Sequence, residues 1–176
     1  YGLKLIVGLL TGWMSGKLYL PSALYGKNLF SNSTALRFEN YFIEGFVSRF
    51  KDRKEIIAWD LGNECNCMSD ADSADTAFAW SCAISNAIRV VDESRPVISG
   101  MHGLGVEDGK WTIKDQGRCT DILTTHPYPA FVPHCSKDPI NSIRTLMHAT
   151  AESLLDSDIS KKPCLVEEIG TLGCSV

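Results

Sequence analysis

"IIAWDLGNECN", residues 56–66, is an apolar run that stops abruptly at Gly62-Asn63-Glu64. Ile56, Ile57, Ala58, Trp59 and Leu61 leave little alternation between polar and apolar positions. A strand of this kind is buried on both faces, as parallel strands covered by helices are. An amide and a carboxylate at its C-terminal end sit where parallel α/β folds gather their functional side chains. The stretch therefore poses two questions: which parallel fold this is, and what Asn63 and Glu64 do there.

Outward from it, four more β-rich runs have the same character, at 3–10, 95–101, 121–126 and 162–170. Helical patterns alternate with them. In 35–53, Phe38, Phe42, Phe46 and Phe50 recur four apart, with Ile43 and Val47 beside them, which predicts one apolar core stripe. In 75–93, Phe78, Cys82, Ala83, Ile84 and Ile88 do the same, with Asp72 or Ser73 as the cap. In 139–157, Pro139 stands near the first turn, and Ile143, Leu146, Met147 and Leu154 share a face. The connection 11–34 is long, aromatic and Gly-containing. Residues 102–120 hold only the weak helical signal "KWTIKDQG", so a short or irregular crossover is expected there.

Strand–helix alternation predicts a parallel α/β architecture, either an open doubly wound sheet or a (β/α)8 barrel. A complete barrel takes roughly 200 residues or more. Five strands and 176 residues fall short of that, so the barrel reading makes residues 1–176 one catalytic-domain segment from the middle of a longer barrel chain. Tyr1 in place of Met, already inside a strand, is read as a missing start. Two strand edges would then lie open, to be covered by the rest of the barrel or by another copy.

The formal net charge of −4 gives no basic footprint for nucleic acid. No run approaches the roughly 18 apolar residues of a membrane helix. Seven cysteines at irregular spacing do not form the even, dense set of a disulfide scaffold. They read as free, mostly buried thiols, which favours a cytoplasmic setting. Cys65-x-Cys67, with His134-Cys135 elsewhere, lacks the paired spacing of a structural zinc site, and no metal or cofactor is expected. Asn32-Ser33-Thr34 fits the glycosylation sequon, a match common by chance.

The chemistry collects at strand C-termini. Thr11 and Trp13 follow the first run, Asn63 and Glu64 the second, His102 the third, His126 and Tyr128 the fourth, and Glu167 and Glu168 end the fifth. A dinucleotide fold would need a Gly-rich turn open to a pyrophosphate. In "GLLTGWMSG", Trp13 and Met14 occupy that place. No G-x-S-x-G elbow marks an α/β-hydrolase either. Two carboxylates at strand ends fit glycosidic hydrolysis. One protonates the leaving oxygen, and the other attacks the anomeric carbon or activates water. Like charges held close push their pKa values apart, which allows both roles at one pH. The bland readings apply elsewhere: Trp59 and Trp80 as core, His134 and His148 as structural or surface residues, the acids at 70–75 as a solvated helix start.

These residues carry a resemblance. "WDLGNE" resembles the Asn-Glu signature ending strand four of retaining glycoside hydrolases of clan A. "LVEEIG" is similar to their strand-seven nucleophile motif. "HPY" resembles the His-x-Tyr after strand six of glycoside hydrolase family five, the cellulase and mannanase family. "TGWMSG" resembles a strand-three loop of its relatives. The resemblance spans about strands three to seven and implies a (β/α)8 TIM barrel lacking strands one, two and eight. It implies a retaining β-glycoside hydrolase acting by double displacement on a β-linked polysaccharide or oligosaccharide of mannan or glucan type. The alternative is a non-catalytic carbohydrate-binding barrel that retains the motif. Carried over, Glu64 is the acid/base and Glu168 the nucleophile, with Glu167 facing the other way by strand alternation. Asn63 binds the sugar 2-hydroxyl, Tyr128 holds Glu168, and His126 lines the site, with His102 a further candidate. Trp13 and Trp111 are candidate sugar platforms. Trp13 stands where a His is common in the family, and the strand-eight Trp is absent.

Overall fold

The computed structural model describes residues 1–128 and 142–170. Its strands are β1 (Leu5–Leu10), β2 (Trp13–Met14), β3 (Lys17–Leu18), β4 (Ile56–Gly62), β5 (Val97–Ile98), β6 (Leu123–Thr125) and β7 (Cys164–Val166). Its α-helices are α1 (Ser33–Phe50), α2 (Ala74–Val91), α3 (Ile113–Cys119) and α4 (Ile143–Ser160). Pro139, His134 and Cys135 lie outside the described residues, so the expectations placed on them do as well.

Strand order decides between the two parallel architectures. β4 pairs in parallel with β1 on one side and β5 on the other. A parallel bridge, Ile98 to Ile122, passes the pairing on towards β6, which pairs in parallel with β7. Each main strand thus lies beside the next one in the chain, and the order never reverses. A doubly wound sheet reverses at its switch point. Right-handed crossovers that always step the same way place every helix on one face, which is the barrel arrangement. The short β2–β3 hairpin grows out of the long connection after β1.

The local signals are physical ones. Asn32, Ser73, Thr112 and Ser142 cap α1 to α4, each side-chain oxygen accepting from a first-turn N–H. Such caps satisfy donors that the helix itself leaves unpaired. Ser73, not Asp72, is the cap of α2. The weak crossover signal resolves into α3, only seven residues long.

Two apolar faces differ from expectation. α1 buries Ala35, Glu39, Ile43 and Val47, while Phe38 and Phe42 are exposed. The phenylalanines form a flank ladder instead, Phe42 against Phe46 and Phe46 against Phe50. On α4, Ile143, Leu146, Met147 and Leu154 are all exposed, and Thr145, Ala149 and Asp156 face inward. α1 thus buries a stripe one position away from its phenylalanines, with Glu39 bonded to Trp80 of α2, and α4 turns a stripe of smaller residues inward. Trp59 and Trp80 are fully buried, as expected. Their indole N–H groups donate to Asp92 and Glu39 at 2.8 and 2.9 Å.

The cysteine reading also needs correction. Cys82 on α2 and Cys119 on α3 are disulfide-bonded, with Cα atoms 5.0 Å apart. Cys65, Cys67 and Cys164 are free thiols. The bond removes the premise of the cytoplasmic expectation, because disulfides persist in oxidising surroundings.

Candidate active site

The rim at the C-terminal ends of the strands gathers the predicted residues. β4 delivers Asn63 and Glu64. Its mount is tight: Leu9, Trp59, Leu61 and Cys65 are buried around it. A Cβ on Gly62 would overlap the Leu10 carbonyl, so only glycine lets β1 and β4 approach so closely. The chain then turns sharply, and Glu64 adopts a left-handed backbone, φ 46° and ψ 48°. Non-glycine residues rarely occupy that region. Cys65 N–H donates to the Gly100 carbonyl at 3.0 Å and holds the turn. Asn63 Nδ2 donates to the Trp13 carbonyl at 2.9 Å, tying the β2–β3 hairpin to the tip of β4.

His126, past the end of β6, is the hub. It is fully buried. Its Nδ1 lies 3.1 Å from Glu64 Oε1 and 3.8 Å from Glu168 Oε2. Its Nε2 lies 3.3 Å from Glu167 Oε2. Burial alone would lower its pKa, but the bonds to Glu167 and Glu64 and the charge of Glu168 outweigh that and raise it. Tyr128 Oη donates to Glu168 Oε2 at 2.9 Å. That bond and partial burial raise the phenol's pKa.

His102 Nδ1 stands 3.6 Å from Glu64 Oε1. Its backbone is clamped by Asn66, which donates to the His102 carbonyl at 2.6 Å and accepts from its N–H at 3.0 Å. Burial lowers the His102 pKa, against the pull of Glu64. Two imidazoles at one carboxylate are thus pushed in opposite directions.

Glu64, Glu168, His126, His102 and Tyr128 converge on one spot. Asn63 reaches the hairpin beside it. Trp13 is half-buried and packs on the core cluster, and Trp111 sets its ring edge-on to Phe30 and Trp80, an inward contact rather than a free platform. Glu167 departs from expectation. It does not face away from the site but meets the opposite edge of the same His126 ring. The strand ends at Val166, and in a curved sheet the alternate face is the barrel interior rather than solvent. Sequence reasoning also passed over Asp60 and Asn66. Asp60 had a signal, since it is a lone acid inside an otherwise apolar strand.

Glu64, His102 and His126 each offer a ligand atom within 4.8 Å of the others. Both nitrogens of His126 already face carboxylates, so the group reads as a hydrogen-bonded cluster. A separate apolar cavity of about 300 Å³ lies between β1 and α1, lined by Leu9, Tyr19, Leu24, Phe38, Phe42 and Met68. Thr11, Tyr19 and Glu39 are the polar residues of its lining, and none of them belongs to the carboxylate cluster.

Comparison with known proteins agrees with this geometry. The family model described as Cellulase (glycosyl hydrolase family 5) matches residues 21–176. Mannan endo-1,4-beta-mannosidase A of Podospora anserina is 29% identical, over 96% of this chain and 47% of its own length. The enzyme of the same name from Aspergillus aculeatus is 30% identical, over 97% and 48%. The solved endo-beta-1,4-mannanase of Thermotoga petrophila superposes with a TM-score of 0.80 at 18% identity, over 99% of this chain and 43% of that one. The chain thus spans about half the length of the curated relatives it matches, and its strands form part of a (β/α)8 barrel.

Proposed function

The chain belongs to glycosyl hydrolase family 5, the cellulase family, and on that premise we propose that it carries the catalytic pair of a retaining β-glycoside hydrolase acting on a β-linked mannan. The observation that carries the reading is the shared nitrogen. His126 Nδ1 reaches Glu64 at 3.1 Å and Glu168 at 3.8 Å, so carboxylates from two separate strands meet at one point. Laid end to end, those two reaches only just exceed the lower edge of the inverting range, about 6.5 Å. Retaining pairs stand closer, about 5–5.5 Å.

In the proposed cycle Glu168 attacks the anomeric carbon and Glu64 protonates the departing oxygen. Glu64 then takes a proton from water, whose oxygen displaces Glu168 from the sugar. Tyr128 orients Glu168 by its hydrogen bond. His126 and His102 line the Glu64 side, and Asn63 is placed beside Glu64 for the sugar 2-hydroxyl. Trp13, on the hairpin that Asn63 anchors, borders the approach to the site. A mannan substrate is supported by the names of the relatives. The working enzyme is proposed to be a complete barrel, with further strands covering the free edges of β1 and β7.

The test is chemical rescue in the full-length protein. Glu168→Gly with azide is expected to convert an activated β-mannoside into the α-mannosyl azide. A β-azide, or rescue from Glu167→Gly instead, would remove Glu168 from the nucleophile role. Mannan binding without turnover in the parent would return the reading to a non-catalytic carbohydrate-binding barrel.

A further inference from the structure

Beneath the rim, the floor of the site is unusual for a parallel barrel. Interior layers are mostly branched apolar side chains. Here β4 points Asp60 into the interior, and only 4% of that residue is exposed. Its neighbours leave room for it. Gly8 on β1 presents its Cα where a Cβ would stand 3.4 Å from Asp60 Oδ2, and a Cβ on Gly100, at φ +56°, would overlap Asp60 Oδ1. A buried carboxyl costs several kcal/mol unless its hydrogen bonds are met. Asp60 meets one of them at Gly62, whose N–H donates to its Oδ1 at 3.3 Å, and its carboxyl neighbours that of Glu167. Two carboxyl groups can share a hydrogen bond only if one carries a proton.

Glu167 in turn faces His126 Nε2 at 3.3 Å, and His126 Nδ1 faces Glu64 Oε1 at 3.1 Å. We infer that Asp60 and Glu167 are positioning residues, forming with His126 a hydrogen-bonded line across the floor that holds the proton on Nε2 and leaves Nδ1 to share a proton with Glu64. The inference rests on the reading of Glu64 as acid/base. Burial and the adjacent charge of Glu167 raise the Asp60 pKa well above the usual carboxylate range, which places the shared proton on Asp60. The bond between Nε2 and the Glu167 carboxyl sets which ring nitrogen is protonated. The groups facing the ring are Glu64 from the end of β4, His102 after β5, Glu167 and Glu168 after β7, and Asp60 within β4.

The line is tested in the full-length enzyme by nitrogen NMR of the histidine rings, with His126 assigned by its loss in His126→Gln. Glu167→Gln keeps the shape but removes the charge. It is expected to lower the His126 titration midpoint by about one pH unit and kcat about tenfold, with KM within about twofold. Asp60→Asn keeps both contacts, because its amide oxygen accepts from Gly62 N–H and its NH2 donates to Glu167. It is expected to recover most of the kcat and of the His126 midpoint that Asp60→Ala loses. An unmoved His126 midpoint in a folded Glu167→Gln protein overturns the inference, as does an Asp60→Asn protein as impaired as Asp60→Ala. The NMR readout does not depend on turnover. A protein with the expected His126 shifts but no glycosidase activity would keep the line and discard the proposed reaction.

Discussion

The two halves of the molecule hold their catalytic candidates in different ways. Among the described residues, every member of the main apolar cluster falls between Leu9 and Met101, under β1, β4, β5, α1 and α2. There Trp59, Leu61, Ile43, Ile84 and Ile88 are fully buried. Among the described residues, the half formed by β6, β7 and α4 contributes none of that cluster. Among the described residues, β7 pairs with β6 alone, its residues are half-buried or exposed, and α4 turns most of its apolar side chains outward. Glu64 stands on the first half and Glu168 on the second. The first is fixed by packing. The second is fixed by polar reach, through Tyr128 and His126. One site can thus combine a rigid mount with one aligned by hydrogen bonds.

The sharpest way to break this contrast is to remove each carboxylate and vary the leaving group. Glu168→Ala is expected to lower kcat by about 10⁴ or more whatever the leaving group. Glu64→Ala is expected to cost about 10²–10³ on a poor leaving group, and much less on a dinitrophenyl glycoside, whose departure needs no proton. Equal losses on both substrates for Glu64→Ala would remove it from the acid role.

Stability tests come next. The Cys82–Cys119 bond closes a 37-residue separation between α2, in the well-packed half, and α3, at the border of the other. Cys82→Ser is expected to cost about 4 kcal/mol on the chain-entropy account, a fall in Tm on the order of 10 °C. A Tm unchanged by the substitution, and by reductant, would mean that the border needs no staple.

Glu39 probes the packed half alone. Burial pushes its carboxyl up to about 7, against the hydrogen bond from Trp80. Its ordinary value is 4.5, so between pH 4.5 and 7 the unfolded chain gives up a proton that the native chain keeps. Stability therefore falls as pH rises through that window, by up to about 3 kcal/mol. Glu39→Gln is expected to flatten the slope of Tm against pH. A slope that survives the substitution belongs to another group, with Asp156, on α4 and pushed by burial to about 7, the next to try.

The sequence made the strand tips legible and the helix faces much less so. Glu64, His126, Tyr128 and Glu168 were readable because strand C-termini in parallel folds converge whatever the loops do. The buried-strand character of 56–62 followed from its lack of alternation. The face of α1 was misjudged because four-residue spacing marks two adjacent stripes equally well. The stripe that is buried runs from Ala35 to Val47 through Glu39, which accepts from the indole of Trp80 on α2. Glu39 is a carboxylate on that buried stripe, and the indole N–H of Trp80 is its hydrogen-bond partner there. The disulfide was hidden because pairing depends on where α2 and α3 lie in space, not on spacing along the chain. Glu167 was misplaced because alternation was applied as though the other face of the strand were solvent.

The left-handed backbone at Glu64 has a consequence beyond the reaction. A glutamate there holds a conformation that glycine or asparagine would occupy with less strain, by about 1 kcal/mol. Glu64→Gly is expected to slow turnover of a poor leaving group as much as Glu64→Ala does while losing less stability. On the proposed acid/base role, backbone strain would drift position 64 towards Gly or Asn, and selection for chemistry would hold a carboxylate in place. The identity of this one residue in descendant or laboratory-evolved chains would then record whether the proposed catalysis is under selection.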